Sequence, residues 1–200
     1  MIAMPARQRG ATLMIALIML TAILLLGTAS ASLLILDEHT ARNHRVHVQA
    51  TLAAQAALDD ACEEIRRADR IDAAAFPSTP QCRSDVEGRG LCLGSPERAG
   101  WKPEQLSGAE PGSAAYGEFT GRRFPSDGDL AAPRYLIEWL ASDKPGRPEP
   151  AALYRISAIG FGRGGARAGL QAIAQGRSDE AGRTQCIIRA WRPLFLSTSE

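Results

Sequence analysis

The chain has 200 residues, which is enough for one domain and an extension, and its formal net charge is +1. This balance gives no basic face for nucleic acid and no acidic tail, so no nucleic-acid partner is predicted. Only 6% of the residues are aromatic, which limits the size of any core. None of the four cysteines forms a Cys-x-x-Cys pair, which argues against zinc and thioredoxin-type chemistry. An even number is typical of two disulfides in a small exported domain.

A short basic start precedes a long uncharged stretch. Arg7 and Arg9 lie in the first ten residues without an acid, and residues 11–36 carry no charge. A helix over these residues measures about 39 Å, which exceeds the roughly 30 Å hydrocarbon core of a membrane. Because arginines precede the stretch and Asp37 and Glu38 follow it, we expect the N-terminus in the cytoplasm. The rest of the chain is then outside, where disulfides form.

Such a segment is compatible with three processing outcomes. It can be an uncleaved signal anchor, or a signal peptide cut at the small-x-small sequence Ala29-Ser30-Ala31. The third outcome is cleavage between Gly10 and Ala11, which keeps the whole apolar helix. The apolar run continues to Leu36, beyond the point where a signal peptide becomes polar, and this favours the third outcome.

The sequence after the uncharged stretch predicts that the helix continues. Residues 37–75 contain no Gly or Pro and are rich in good helix formers. A helix from residue 11 to about 68 would be roughly 87 Å long, so its first half must be covered by lipid or by other subunits. One apolar stripe is predicted at Val48, Leu52, Leu58, Cys62 and Ile65.

The residues of two N-terminal segments resemble PilX-type minor pilins of type IV pili. The segments are RGATLMIAL at residues 9–17 and ATLAAQAALDDA at residues 50–61. The later segments PRYLIE at 133–138 and LYRISAIGFG at 153–162 are similar to strands of that family, and the stretch from Cys82 to Cys92 is also similar. The resemblance implies a class III signal peptide, cleavage after Gly10 by prepilin peptidase and N-methylation of Ala11.

The fold that the resemblance implies is α+β and type IV pilin-like, with a long helix on a small C-terminal antiparallel sheet. The expected order is a leader (1–10), a transmembrane and filament-core helix (11–36), an amphipathic continuation (37–75) and a periplasmic globular region (76–200). That region divides into a Gly-, Pro- and Ser-rich loop (76–133) and a sheet (134–192).

Three segments of the sheet region have strand character: 134–140, 153–161 and 184–191. Residues 144–148 are expected to form a turn, and residues 166–183 a loop with at most one helical turn. Packing against the helix is expected from Trp139, Tyr154, Ile156 and Ile188. Four cysteines allow three pairings. We favour a disulfide between Cys82 and Cys92, which are ten residues apart and would close a short loop. The other pair is then Cys62 with Cys186, which would join the helix to the sheet.

The sequence departs from the family at one position. Most pilins carry glutamate as the fifth residue after cleavage, where it is thought to pair with a neighbour's terminal amine, and this chain has Ile15. A carboxylate in a membrane is costly unless paired, so this subunit need not make that pairing. A subunit placed first, at a filament tip, can lack it, as can a minor pseudopilin of type II secretion.

Three motifs that could support chemistry are better explained by structure. Residues 160–165 match the Gly-x-Gly-x-x-Gly pattern, but no βαβ unit follows, so a hairpin loop is predicted. His44 and His47 share a helix face without further ligands at a suitable spacing. Residues 127–129 (Asp-Gly-Asp) favour a turn over a calcium site. The chain is therefore not expected to be an enzyme or to bind a metal or cofactor.

The predicted function is a structural minor pilin that initiates assembly of a type IV pilus or lies at its tip, in twitching motility or adhesion. The implied partners are other minor pilins, the major pilin, prepilin peptidase, the inner-membrane assembly platform and a tip adhesin. The chain would lie in the inner membrane with its C-terminus in the periplasm, and then in the pilus. The alternatives are a type II secretion minor pseudopilin and a released or anchored periplasmic binding protein.

Overall fold

The computed structural model describes residues 11–67, 70–107, 112–125, 130–140, 152–178 and 184–195. The chain divides into two compact units, Met1–Arg45 and Val46–Glu200. In the first unit the described residues are helical. The leader at 1–10, the turn at 144–148 and the Asp-Gly-Asp motif at 127–129 lie outside the described residues.

The long helix α1 spans Ala11–Arg67, a length of 57 residues. The sequence predicts a helical continuation to residue 75, but a separate 3-10 turn at Ala73–Ala75 occupies the end of that stretch. The Asp72 carboxylate caps this turn by accepting from the Ala75 N–H at 2.8 Å. Local capping therefore outweighs the helix propensity of the alanines.

The second unit contains one sheet, in which the structure describes six strands. Five strands lie side by side in the order β1 (Leu91–Gly94), β3 (Arg134–Leu140), β4 (Ala152–Phe161), β5 (Arg167–Ser178) and β6 (Thr184–Leu194). The short strand β2 (Ala114–Ala115) also pairs with β3. A short helix α2 (Pro103–Ser107) precedes β2. All strand pairs are antiparallel except β1 with β3, which is parallel. The predicted α+β class is confirmed.

The sequence prediction was wrong for two segments of the sheet. Residues 166–183 were expected to form a loop, but residues 167–178 form β5, which pairs with β4 on one side and β6 on the other. β5 is rich in Gly, Ala and Gln and has little strand propensity of its own, so its two neighbours impose its conformation. β1 and β2 lie inside the stretch predicted as a long loop.

Alanines, together with part of the predicted stripe of larger side chains, form the face of α1 that packs on the sheet. Leu58, Cys62 and Ile65 are buried as predicted, whereas Val48 and Leu52 are exposed, Leu52 by 59%. The inward face instead carries fully buried alanines, at positions 50, 54, 57 and 61. Small side chains let the helix backbone approach the sheet closely.

The closest approach is at Gly160 of β4. A Cβ atom built on Gly160 would collide with the helix backbone at Ala50 and Ala54. Of the residues expected to pack on the helix, Tyr154 and Ile156 are buried and Trp139 is half-buried against the same core. Ile188 is 37% exposed.

Two disulfides fix the second unit. One joins Cys62 of α1 to Cys186 of β6, with 5.5 Å between the Cα atoms, and the other joins Cys82 to Cys92 of β1. Cys82 and Cys92 belong to a second apolar cluster with Leu106, Leu136 and Ile159. This cluster lies on the face of the sheet opposite α1, because Ile156 and Ala158 of β4 pack with the helix residues and Ile159 points the other way.

Candidate assembly surfaces

The first part of α1 presents a continuous apolar surface. Every side chain of Ala11–Thr28 is exposed, and this stretch is long and apolar enough to cross a membrane. Its larger exposed side chains include Leu13, Met14, Ile15, Leu17 and Leu20.

Three hydroxyl groups in the first part of α1 bond to carbonyl groups of the preceding turn. Thr21 donates to the Ile18 carbonyl at 2.9 Å, Thr28 to Leu25 at 3.0 Å and Ser30 to Leu26 at 2.8 Å. Side-chain hydroxyls that bond back to the preceding turn present no unpaired donor to the surroundings. The surface is therefore compatible with lipid or with apolar helices of other chains.

Ala11, the residue predicted to follow the cleavage site, is the first described residue of α1, and Gly10 lies outside the described residues. Ile15 is exposed on the same helix. His44 and His47 are exposed, and no group of three or more His, Cys, Asp or Glu residues that could hold a metal occurs in the described part of the chain.

A buried glutamate connects α1 to β3. Glu64 is 3% exposed, and its Oε2 accepts a hydrogen bond from the Tyr135 hydroxyl at 2.6 Å. Arg70 Nε lies 2.7 Å from Glu64 Oε1, but the two groups do not align as a hydrogen bond. Burial raises the pKa of Glu64, while Arg70 and Tyr135 oppose that shift. Burial also raises the pKa of Tyr135, and Glu64 adds to the effect.

A second buried acid connects α1 to the loop after β2. Asp60 is fully buried and accepts hydrogen bonds from the Gly117 N–H at 2.7 Å and the Thr120 hydroxyl at 2.6 Å. Arg122 lies 3.7 Å from the same carboxylate and contacts the Tyr116 ring. This loop is therefore held to the helix by polar contacts, which explains its order without a large apolar core.

A third buried acid fixes the opposite face of the sheet. Arg155 of β4 forms a bidentate pair with Glu138 of β3, at 2.7 and 2.9 Å. The remaining positions of the carboxylate accept from the Trp101 indole N–H at 2.9 Å and the Gly100 N–H at 2.7 Å. A fully bonded ion pair of this kind anchors the loop around residue 100 to the sheet.

The sequence around these three acids does not predict their burial. Asp60 and Glu64 fall on an alanine-rich helix face, and their burial depends on partners from distant segments. Glu138 carried a weak signal, since it interrupts a run of apolar residues in a predicted strand. A charge at a buried strand position indicates a paired carboxylate.

The glycine-rich motif at residues 160–165 lies at the turn between β4 and β5. Residues Arg163–Gly165 form a 3-10 turn, with φ of 66° at Gly164 and 78° at Gly165. The chain then returns as β5, antiparallel to β4. The predicted hairpin loop is confirmed, and glycine is required there because two adjacent residues have positive φ.

A long helix with a hydrophobic first part, packed through its second part on a mostly antiparallel C-terminal sheet, is an α+β pilin-like fold. Residues 9–59 match the family model PilX N-terminal, which covers the apolar segment and the first half of the packed segment of α1. These residues are therefore similar to the N-terminal region of the PilX family. Comparison with curated proteins and with solved structures found no match.

Proposed function

We propose that this chain is a minor pilin of a type IV pilus. The observation that carries the proposal is the apolar surface of Ala11–Thr28, on a helix whose sequence matches the PilX N-terminal model. An exposed surface of this size is stable in lipid or against other apolar helices, and a pilin uses both environments in turn. The two disulfides fit a domain that folds in an oxidising compartment.

In this proposal prepilin peptidase cuts after Gly10, and Ala11 becomes the methylated N-terminus. The helix over 11–36 anchors the subunit in the inner membrane, with residues 76–200 in the periplasm, until the assembly platform moves it into the filament. It then packs against other minor pilins and the major pilin. Ile15 lacks the carboxylate that would pair with a neighbour's amine, which supports a place at the tip, next to a tip adhesin, or in initiation.

N-terminal sequencing and mass spectrometry of the mature protein test the proposal. We expect an N-methylated Ala11, and replacement of Gly10 should leave the unprocessed form. A mature N-terminus at Ser32 would contradict the proposal, because the apolar surface would then be absent from the working protein. An intact N-terminus would instead indicate a signal anchor.

A deletion strain distinguishes the pilus from the secretion alternative. We expect fewer surface pili and reduced twitching, both restored by the wild-type gene. Normal pili together with a loss of protein secretion would favour the type II secretion minor pseudopilin.

A further inference from the structure

The last strand of the sheet has an open backbone edge. β6 (Thr184–Leu194) pairs with β5 on one side, and on its other side no described strand pairs with it. Most of its residues are exposed. An unpaired edge presents a row of N–H and C=O groups that can hydrogen-bond to an added strand.

One face of this edge carries fixed arginines. Arg189 donates from Nε and one Nη to the Gln175 amide oxygen at 2.9 and 2.6 Å, and Arg192 donates in the same way to Gln171 at 3.2 and 2.8 Å. Both glutamines point away from α1, because Ala172 and Ala174 between them pack in the helix-side core. Arg177 follows Gln175 on the same face and is exposed.

These positive charges are not neutralised by the described residues. The described parts of β4 to β6, residues 152–178 and 184–195, contain six arginines and no acid. Of the six, Arg155 alone has an ion pair within the described structure. A neutral amide holds a guanidinium in place without cancelling its charge, so Arg189 and Arg192 are oriented for an anion. The net charge of +1 conceals this local excess.

The other face of the same edge carries two large apolar side chains, Ile188 and Trp191, and Ile188 borders a cleft that is also lined by charged residues of α1 (Asp59, Glu63, Arg66 and Arg67). Ile188 and Trp191 are in register with Ala174 and Ala172, which places them on the helix side of the sheet. They extend past the cover that α1 provides, since Trp191 is 60% exposed. Cys186 on this face is bonded to Cys62, which fixes β6 beside the helix.

We propose that the edge of β6 over residues 185–192 binds an extended segment of a partner protein in which acidic and apolar side chains alternate. Side chains of a strand alternate between faces, but β6 has a β-bulge at Arg189, because Ile188 pairs with Ala174 and Ala190 pairs with Ile173. The bulge keeps Arg189 and Arg192 on one face and Ile188 and Trp191 on the other, although the residues of each pair are three positions apart. A partner strand would therefore place its acids toward Arg189 and Arg192 and its apolar residues toward Ile188 and Trp191. Pro193 has no N–H and marks the end of the site.

The backbone edge favours a polypeptide over a nucleic acid. A phosphate chain could use the arginines, but it has no regular row of N–H and C=O groups to pair with the open strand. The surface lies in the second unit, so the proposal does not depend on the processing or filament role of the N-terminal helix.

Titration of the full-length protein in detergent tests the proposal. The probes are ten-residue peptides that alternate Glu with Val, Ile, Leu or Tyr. We expect saturable binding that weakens with salt, together with protection of β6 amides from hydrogen exchange. The double variant Arg189→Gln/Arg192→Gln should weaken binding by about tenfold or more, because charged hydrogen bonds are lost. Arg163→Gln, in the β4–β5 turn, is the matched control and should bind as the wild type does.

Changes in the probe test the strand geometry without altering the protein. N-methylation of alternate backbone nitrogens in one register should abolish binding, while the same change in the other register should be tolerated. Replacement of Glu by Lys should also abolish it. Failure of all alternating peptides to bind, equal binding to the double variant, or insensitivity to N-methylation in both registers would overturn the proposal. Binding of oligo-dT in place of the peptides would assign the surface to nucleic acid and would also overturn it.

Discussion

At the scale of single residues, buried acids with several partners hold distant segments of this small domain together. Asp60, Glu64 and Glu138 each connect secondary structure to a loop or strand far away in sequence. Each such acid costs desolvation free energy, which the surrounding donors offset. Removing one acid would leave its partners unsatisfied in a buried environment.

Replacement of Glu138 by alanine should strongly destabilise the second unit. It leaves the Arg155 guanidinium, the Trp101 indole and the Gly100 N–H without their acceptor, and breaking a buried pair costs about 3–5 kcal/mol. Unfolding by urea, followed by tryptophan fluorescence, measures the loss, since all three tryptophans lie after residue 45. Glu97→Ala, an exposed glutamate nearby, is the control and should change the free energy of unfolding by less than about 0.5 kcal/mol.

Glu64 should make the free energy of unfolding depend on pH, with a loss of stability as the pH rises. Burial raises its pKa in the folded state, so the folded protein holds this proton more tightly than the unfolded chain does. Its contribution to stability is then fully present below the unfolded pKa and is lost as the pH rises through the folded pKa. The variant Glu64→Gln lacks this loss, so its free energy of unfolding relative to wild type should rise between pH 4.5 and pH 7.

Urea unfolding of both proteins at these two pH values measures the difference. A relative stability of Glu64→Gln that falls with pH would show that the ion pair with Arg70 outweighs burial.

At the scale of elements, the close contact between α1 and the sheet depends on small residues on both sides. The sequence predicts the helix, the strands β3, β4 and β6 and the hairpin turn, because their periodicity and propensity are local. It does not predict β5 or β1, since neither has a strong strand sequence and both form by pairing with neighbours. The alanines at positions 53, 54, 56 and 57 indicate a thin helix that a partner can approach closely, but the sequence does not show that Gly160 is the residue opposite them.

Gly160→Ala should separate the helix from the sheet locally. The added methyl group meets the helix backbone at Ala50 and Ala54, which cannot rotate away as a side chain can. Overpacking of this kind costs about 1–3 kcal/mol in the free energy of unfolding. Gly112→Ala is the control: its nearest atoms are 3.7 Å away on the flexible Gln105 side chain, and φ is not positive there. Equal effects of the two substitutions would show that the close approach is unimportant.

At the scale of the whole molecule, apolar surface and charge are segregated along the chain. The first unit begins with an apolar helix without charge, whereas the last three strands carry arginines and no acid in their described parts. Composition predicts the first property, because a run of uncharged residues is visible directly. Composition does not reveal the excess of arginines in the last strands, because acids elsewhere in the chain bring the net charge close to zero.

Leu20→Arg should impair membrane insertion of α1. Leu20 lies near the centre of Ala11–Thr28, where an arginine raises the apparent free energy of insertion by about 2.5–3.5 kcal/mol. A translocon insertion assay with glycosylation reporters on both sides measures this change. Leu52→Arg is the matched control, since Leu52 is similarly exposed but lies outside this stretch, and it should leave insertion unchanged. Equal insertion of both variants would contradict a spanning role for the segment.

The disulfide between Cys62 and Cys186 has a mechanical consequence. It links the helix directly to the final strand, across a sequence separation of 124 residues. When tension is applied between α1 and β6, the force crosses a covalent bond and bypasses every hydrogen bond between the strands. The intervening polypeptide is then shielded from stretching, and a subunit held at these two elements can be pulled without being unravelled as long as that bond stays oxidised.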